Sequence, residues 1–182
     1  MNYIKKRILF MMIACVVIIL VACHSAGEEI EYMDNNGNFS ITLPSTWIQD
    51  TGVNNNDTLV LYSNEQRDII VSIQRYDREV AEDTMGLNSL EKFQQFYKIN
   101  SIVSTLYTQG EVKEIDYTME NMKNVIAQEV MSKSNDDTTA KAFCVIAEND
   151  NAYYTCAITG EQKVYHKNIN HLKEVLSKLN EK

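Results

Sequence analysis

The first 23 residues limit most strongly what this chain can fold into. Lys5, Lys6 and Arg7 precede an unbroken apolar run from Ile8 to Leu20, and Val21, Ala22 and Cys23 follow it. A positive segment, an apolar stretch and a small residue before the break are the parts of an export signal. A helix that crosses a membrane needs about 20 apolar residues. Ile8 to Ala22 is shorter than that, and His24 and Glu28 come directly after it. The folded part of the chain is therefore expected to begin after this segment.

Leu20-Val21-Ala22-Cys23 resembles the lipobox of bacterial lipoproteins. The resemblance implies cleavage between Ala22 and Cys23 and a diacylglyceryl group on the Cys23 sulfur. The domain would then be held at the extracytoplasmic face of the cell membrane. Two acyl chains make physical sense, since each buried CH₂ contributes only ~0.8 kcal/mol and a single chain binds marginally. A plain secreted protein would leave Cys23 as a thiol without a role. The tether, His24 to Ile30, would span on the order of 15 Å if flexible.

The chain has 182 residues, and 160 remain once residues 1–22 are removed. That is the size of one ordinary domain with a real core, expected over residues 31–182, with 23–30 as lipidated cysteine and tether. Losing Lys5, Lys6 and Arg7 takes the formal charge from −8 to −11. Nucleic acid is disfavoured and not expected as a partner, because its affinity comes largely from Lys and Arg that neutralise phosphates. An anionic membrane surface is disfavoured for the same reason. The expected state is a monomer, bound to the membrane through the lipid on Cys23 and meeting an envelope protein.

Asp34-Asn35-Asn36-Gly37-Asn38 reads as a hairpin turn, since Asn-Gly before an alternating segment is the strongest short-range hairpin signal. A calcium loop would want Gly at its sixth position, where Phe39 stands. Phe39, Ile41 and Leu43 alternate with Ser40 and Thr42 up to Pro44, which gives a half-buried strand, and Trp47 follows as a core residue. Leu59–Tyr62 and Ile69–Ile73 are further strands. A helix is predicted from Ser89 to about Tyr107, capped by Asn88. Four strands come next: Val112–Met119, Lys123–Lys133, Thr139–Glu148 and Ala152–Thr159. An amphipathic helix, Tyr165–Leu179, presents Ile169, Leu172, Val175, Leu176 and Leu179 on one face. This order fits an α+β fold, one antiparallel β-sheet flanked by helices.

Phe39-Ser40-Ile41-Thr42-Leu43-Pro44 followed by Trp47 resembles the opening strand and corner of PsbP-like domains, and the element order over residues 30–180 is similar to theirs. The resemblance implies an α/β/α sandwich that acts by binding proteins, with no chemistry of its own. Its known members include the photosystem II extrinsic protein, a Ran-binding nuclear transport factor and DcrB-type envelope lipoproteins. No basic surface matches the photosystem protein, so a photosystem role is not carried over.

No nucleophile elbow, P-loop, dinucleotide glycine run, zinc-protease helix or C-x-x-C occurs. His166 and His171 are five apart, which on a helix of ~3.6 residues per turn points them in different directions; both are expected to face solvent. Glu79, Glu82 and Asp83, and Asp136 with Asp137, read as solvated acidic patches. No catalytic residue, metal or cofactor is expected. Two other functions stay open: an envelope hydrolase, which needs a perturbed nucleophile, acid or base in a cleft, and a small-ligand carrier with an apolar cavity between sheet and helix. Tyr153 and Tyr154 are expected on opposite faces of one strand, with one of them exposed.

Cys144 and Cys156 remain once Cys15 leaves with the signal and Cys23 takes the lipid. A three-residue loop Asn149-Asp150-Asn151 would set Cys144 opposite Cys156, and a disulfide is the expectation. A two-residue loop would instead put the two side chains on opposite faces.

Overall fold

The computed structural model describes residues 27–53, 57–101, 103–132 and 140–182. The expectations for the signal segment, Ala22 and Cys23, and for Asp136 and Asp137, lie outside the described residues. The chain forms β1 (Glu29–Met33), β2 (Phe39–Pro44), β3 (Ile48–Gln49), β4 (Thr58–Tyr62) and β5 (Ile69–Asp77). Three helices follow: α1 (Arg78–Met85), α2 (Leu90–Asn100) and α3 (Ser104–Gln109). Then come β6 (Glu111–Ile115), β7 (Asn124–Met131), β8 (Ala140–Glu148), β9 (Ala152–Glu161), α4 (Gln162–Ser177) and β10 (Asn180–Glu181).

The strands make two sheets where the sequence suggested one. Seven strands pair in the order β3-β4-β5-β9-β8-β7-β6, antiparallel throughout. The other three pair as β1-β2-β10. The Asn-Gly turn forms as expected: Gly37 has φ 71°, a left-handed conformation open to glycine without strain, and its N–H donates to Asp34 O at 3.0 Å. The Phe39 N–H donates to Asp34 Oδ1 at 3.0 Å, so the aspartate closes the turn onto the strand it starts.

Each face of the large sheet has its own core. On one side Tyr154, Cys156 and Ile158 of β9 meet Phe39 and Leu43 of β2 and Tyr165, Ile169 and Leu172 of α4. On the other side Tyr153 and Ala157 meet Ala81 of α1, Phe93 and Tyr97 of α2, and Val103. The fold is thus α+β, with three helices on one face and a helix plus the small sheet on the other. Tyr153 and Tyr154 do point to opposite faces, but neither is exposed. The correction follows from β9 being central and covered on both sides, which removes the polar face that alternation would predict.

The long helix expected from Ser89 is two helices. Ser89 itself is the N-cap, its hydroxyl accepting from the Lys92 N–H at 3.3 Å. Ser101 leaves the helix in an extended conformation, in a Ser, Ile, Val and Thr stretch of low helix propensity. Between β5 and α2, α1 starts at Asp77, whose carboxylate accepts from Val80 N–H, and ends at Gly86 with φ 68°. β1 begins at Glu29, inside the expected tether, because its backbone pairs with β2 from Glu29↔Pro44 to Met33↔Ser40.

Candidate functional site

Among the described residues polar side chains gather at several places, three of them beside helices. The first joins the end of the β8–β9 hairpin to α1. Asn149 N–H donates to Ala152 O at 3.1 Å, which leaves Asp150 and Asn151 as a two-residue loop. Asn149 Oδ1 accepts from the Asn151 and Ala152 N–H groups, each at 2.9 Å, and its amide nitrogen donates to Glu181 Oε2 of β10. Arg78 completes the junction. Its Nη2 donates to Glu148 Oε2 and to Asn149 O, its Nε also to Asn149 O, and its Nη1 to Glu82 Oε1 and the Tyr153 hydroxyl. An arginine has five N–H donors, so this guanidinium is fully used inside the protein. The junction is structural. Of the expected acidic patch, Glu82 is bound into it, while Glu79 and Asp83 face solvent.

The second place is a groove of about 230 Å³ between α4 and the outer face of β1 and β2. Glu31 lies there between Lys182 Nζ and Ser40 Oγ, both at 2.6 Å. The Lys182 contact, with Ser40, holds the Glu31 carboxyl below its ordinary value. Glu174 pairs with Lys178 at 2.9 Å and is lowered in the same way. His171 lines this groove, and His166 sits at 2.9 Å from Lys141 Nζ; both histidines are exposed, as expected.

The third is a cleft of about 130 Å³ where the helix layer stops. α1 packs on β5 and β9, α2 on β8 and β9, and α3 on β6 and β7. The same face of β4 is left half open, with Val60 and Tyr62 only partly buried. Ser72 and Gln74 of β5 and Thr155 of β9 make the floor of the cleft, with Gln74 directly opposite Thr155 in the ladder. Phe96 and Asn100 of α2, with Ser101 just beyond its end, form its wall. This cleft lies between the large sheet and a helix, and it is polar where a small-ligand carrier was expected to be apolar. Sequence reasoning passed over it because Ser72 and Gln74 alternate with buried Val71 and Ile73, the ordinary look of a solvent face.

Cys144 and Cys156 are not bridged. The register pairs Cys144 with Ala157 and Cys156 with Val145, one step away from direct opposition, because the loop has two residues where three were expected. The side chains consequently point to opposite faces, Cys144 toward the helices and Cys156 toward the small sheet, and both thiols are free and buried. Among the described residues no group of three or more His, Cys, Asp or Glu could hold a metal ion, and no helix is long and apolar enough to cross a membrane.

The family model described as PsbP matches residues 28–180, and the chain belongs to that family. Among solved structures, cyanobacterial PsbP (CyanoP) from Synechocystis is similar with a TM-score of 0.54 at 12% identity, over 87% of this chain and 95% of that one. The Ran-binding protein Mog1p of Saccharomyces cerevisiae matches with a TM-score of 0.54 at 10% identity, over 85% of this chain and 95% of its own. A Bacteroides thetaiotaomicron protein matches with a TM-score of 0.52 at 12% identity over 86% of this chain, which spans only 49% of that protein. At such identities the likeness is one of fold. No curated protein matches significantly.

Proposed function

We propose that this protein is a lipid-anchored, extracytoplasmic PsbP-family domain that works by binding a protein of the cell envelope. The observation that carries the reading is the order Lys5-Lys6-Arg7, Ile8 to Leu20, then Leu20-Val21-Ala22-Cys23, placed directly before a PsbP domain. The protein-binding part is supported by the fold shared with Mog1p, a Ran-binding protein. Cys23 carries the diacylglyceryl group, and Ala22 is the last residue removed. An enzymatic role has less behind it, since the arginine and the histidines that could serve chemistry are either saturated or exposed and scattered.

The test has two arms. Growth with a labelled fatty acid such as palmitate should label the wild-type chain and leave Cys23→Ser unlabelled, unprocessed or released from the membrane. Unmodified Cys23 in the mature wild-type protein would overturn the anchor. Crosslinking on intact cells should then capture a protein with the wild type and lose it with Cys23→Ser.

A further inference from the structure

Every polar side chain at the cleft beside the end of α2 is uncharged. A charged ligand buried there would lack a counter-charge, at a large desolvation cost. What the cleft offers is hydroxyls and amides. Among the described residues, no hydrogen bond uses the Ser72 hydroxyl or the Gln74 amide. Asn100 spends one amide hydrogen on Phe96 O at 2.8 Å and keeps its oxygen. Ser101 Oγ is buried beside the Tyr97 hydroxyl, and the Thr155 hydroxyl meets that of Tyr76, so each of these two hydroxyls keeps one further hydrogen-bonding position. Hydroxyls both donate and accept, and amides supply one of each, so the set matches a ligand that is itself rich in hydroxyls.

The aromatic side chains narrow the shape. Tyr76 and Phe96 stand nearly perpendicular, at 87° with centroids 6.3 Å apart, so they form no parallel slot for a flat base. A puckered ring with one apolar C–H face can rest on one aromatic ring and against the edge of the other. The volume of about 130 Å³ falls below the ~300 Å³ of the smallest drug-sized pockets. The cleft has room for no more than one ring, and whatever it does not enclose would run out over the open face of β4.

We propose that this cleft binds a single neutral sugar ring, held by Ser72, Gln74, Asn100, Ser101 and Thr155 against Phe96 and Tyr76. The test uses the full chain in a sugar-free detergent, ¹⁵N-labelled, titrated with glucose and N-acetylglucosamine, with gluconate, glucosamine and adenosine as controls. The neutral sugars should move the Gln74, Ser101 and Thr155 amide signals saturably in the millimolar range. Gln74→Ala and Thr155→Val should each weaken binding by about fivefold or more, the usual effect of losing one hydrogen bond. Gln74 is only half-buried, so its variant reports even if Thr155→Val folds poorly; an unchanged amide spectrum away from the cleft shows that it is folded. Signals that do not move with either sugar, equal binding of a charged control, preference for adenosine, or Gln74→Ala binding as wild type would each overturn the assignment.

Discussion

Arg78 and Glu148 are 70 positions apart in sequence, and their side chains meet at 2.7 Å where α1 crosses the end of the β8–β9 hairpin. Glu148 is 14% exposed and Arg78 27%, so each is removed from most of its water. The pair is useful only while both members are present.

Arg78→Met should accordingly lower stability by about 2 kcal/mol. Breaking a fully buried pair costs ~3–5 kcal/mol, and partial exposure reduces that figure. Urea unfolding measures it. A loss below about 0.5 kcal/mol, the range of ordinary surface substitutions, would show that Asn149 and Tyr153 hold the junction without the arginine.

Cys144 and Cys156 should react with a thiol reagent only after unfolding, since both are 1% exposed. Burial pushes the Cys144 thiol up to about 12, and Cys156 is raised by burial as well. The thiolate is the reactive form, so two effects protect each sulfur. Thiol counting on denatured, unreduced protein should find both free; finding neither would mean that the register of β8 on β9 is one residue different.

The same shift makes a pH prediction. The Cys144 thiol rises from 9.0 to about 12 on folding, so the folded state holds its proton more tightly. Its contribution is fully present below pH 9.0 and is lost as pH climbs toward 12. Tyr97 and Tyr107, raised chiefly by burial, act in the same direction. Denaturant midpoints should therefore be flat from neutral pH up to pH 9.0 and fall above it, and Cys144→Ala should lessen that decline.

Trp47 is packed against the core beside β2 but only partly buried, and its carbonyl accepts from the Tyr32 hydroxyl at 2.8 Å. Trp47→Ala should cost about 2 kcal/mol, under the ~3–5 kcal/mol of a fully buried aromatic. Its emission maximum should lie between the buried and solvated extremes; a fully solvated wavelength would count against the packing.

How much of this was legible depended on length and periodicity. β2 announced itself through alternation, the β7–β9 run through Asn- and Asp-rich turns, and α4 through Ile169, Leu172 and Leu176. β3 and β10 have two residues each, too few to show any period. α1 buries only Ala81, so it has no apolar stripe; the readable signals were its ends, Asp77 and Gly86. The Cys144–Cys156 expectation failed on a single residue of loop length, because side-chain direction in a strand reverses with every step. The cleft drew on residues far apart in sequence, Ser72, Asn100 and Thr155, that no local pattern connects. The lipobox reading concerned residues outside those described, and its test is chemical.

The small sheet draws its strands from residues 29–44 and 180–181, and α4, which seals the core between the sheets, spans Gln162–Ser177. On the ribosome, β1 and β2 are complete long before the segment that covers Phe39, Leu43, Tyr154 and Ile158 has been made. Until then those side chains have only one wall, and pairing β2 with β10 requires closing a loop of most of the domain's length. The nascent chain therefore stays uncommitted on that face until α4 and β10 have been made, an interval in which it can still be threaded unfolded through a narrow channel.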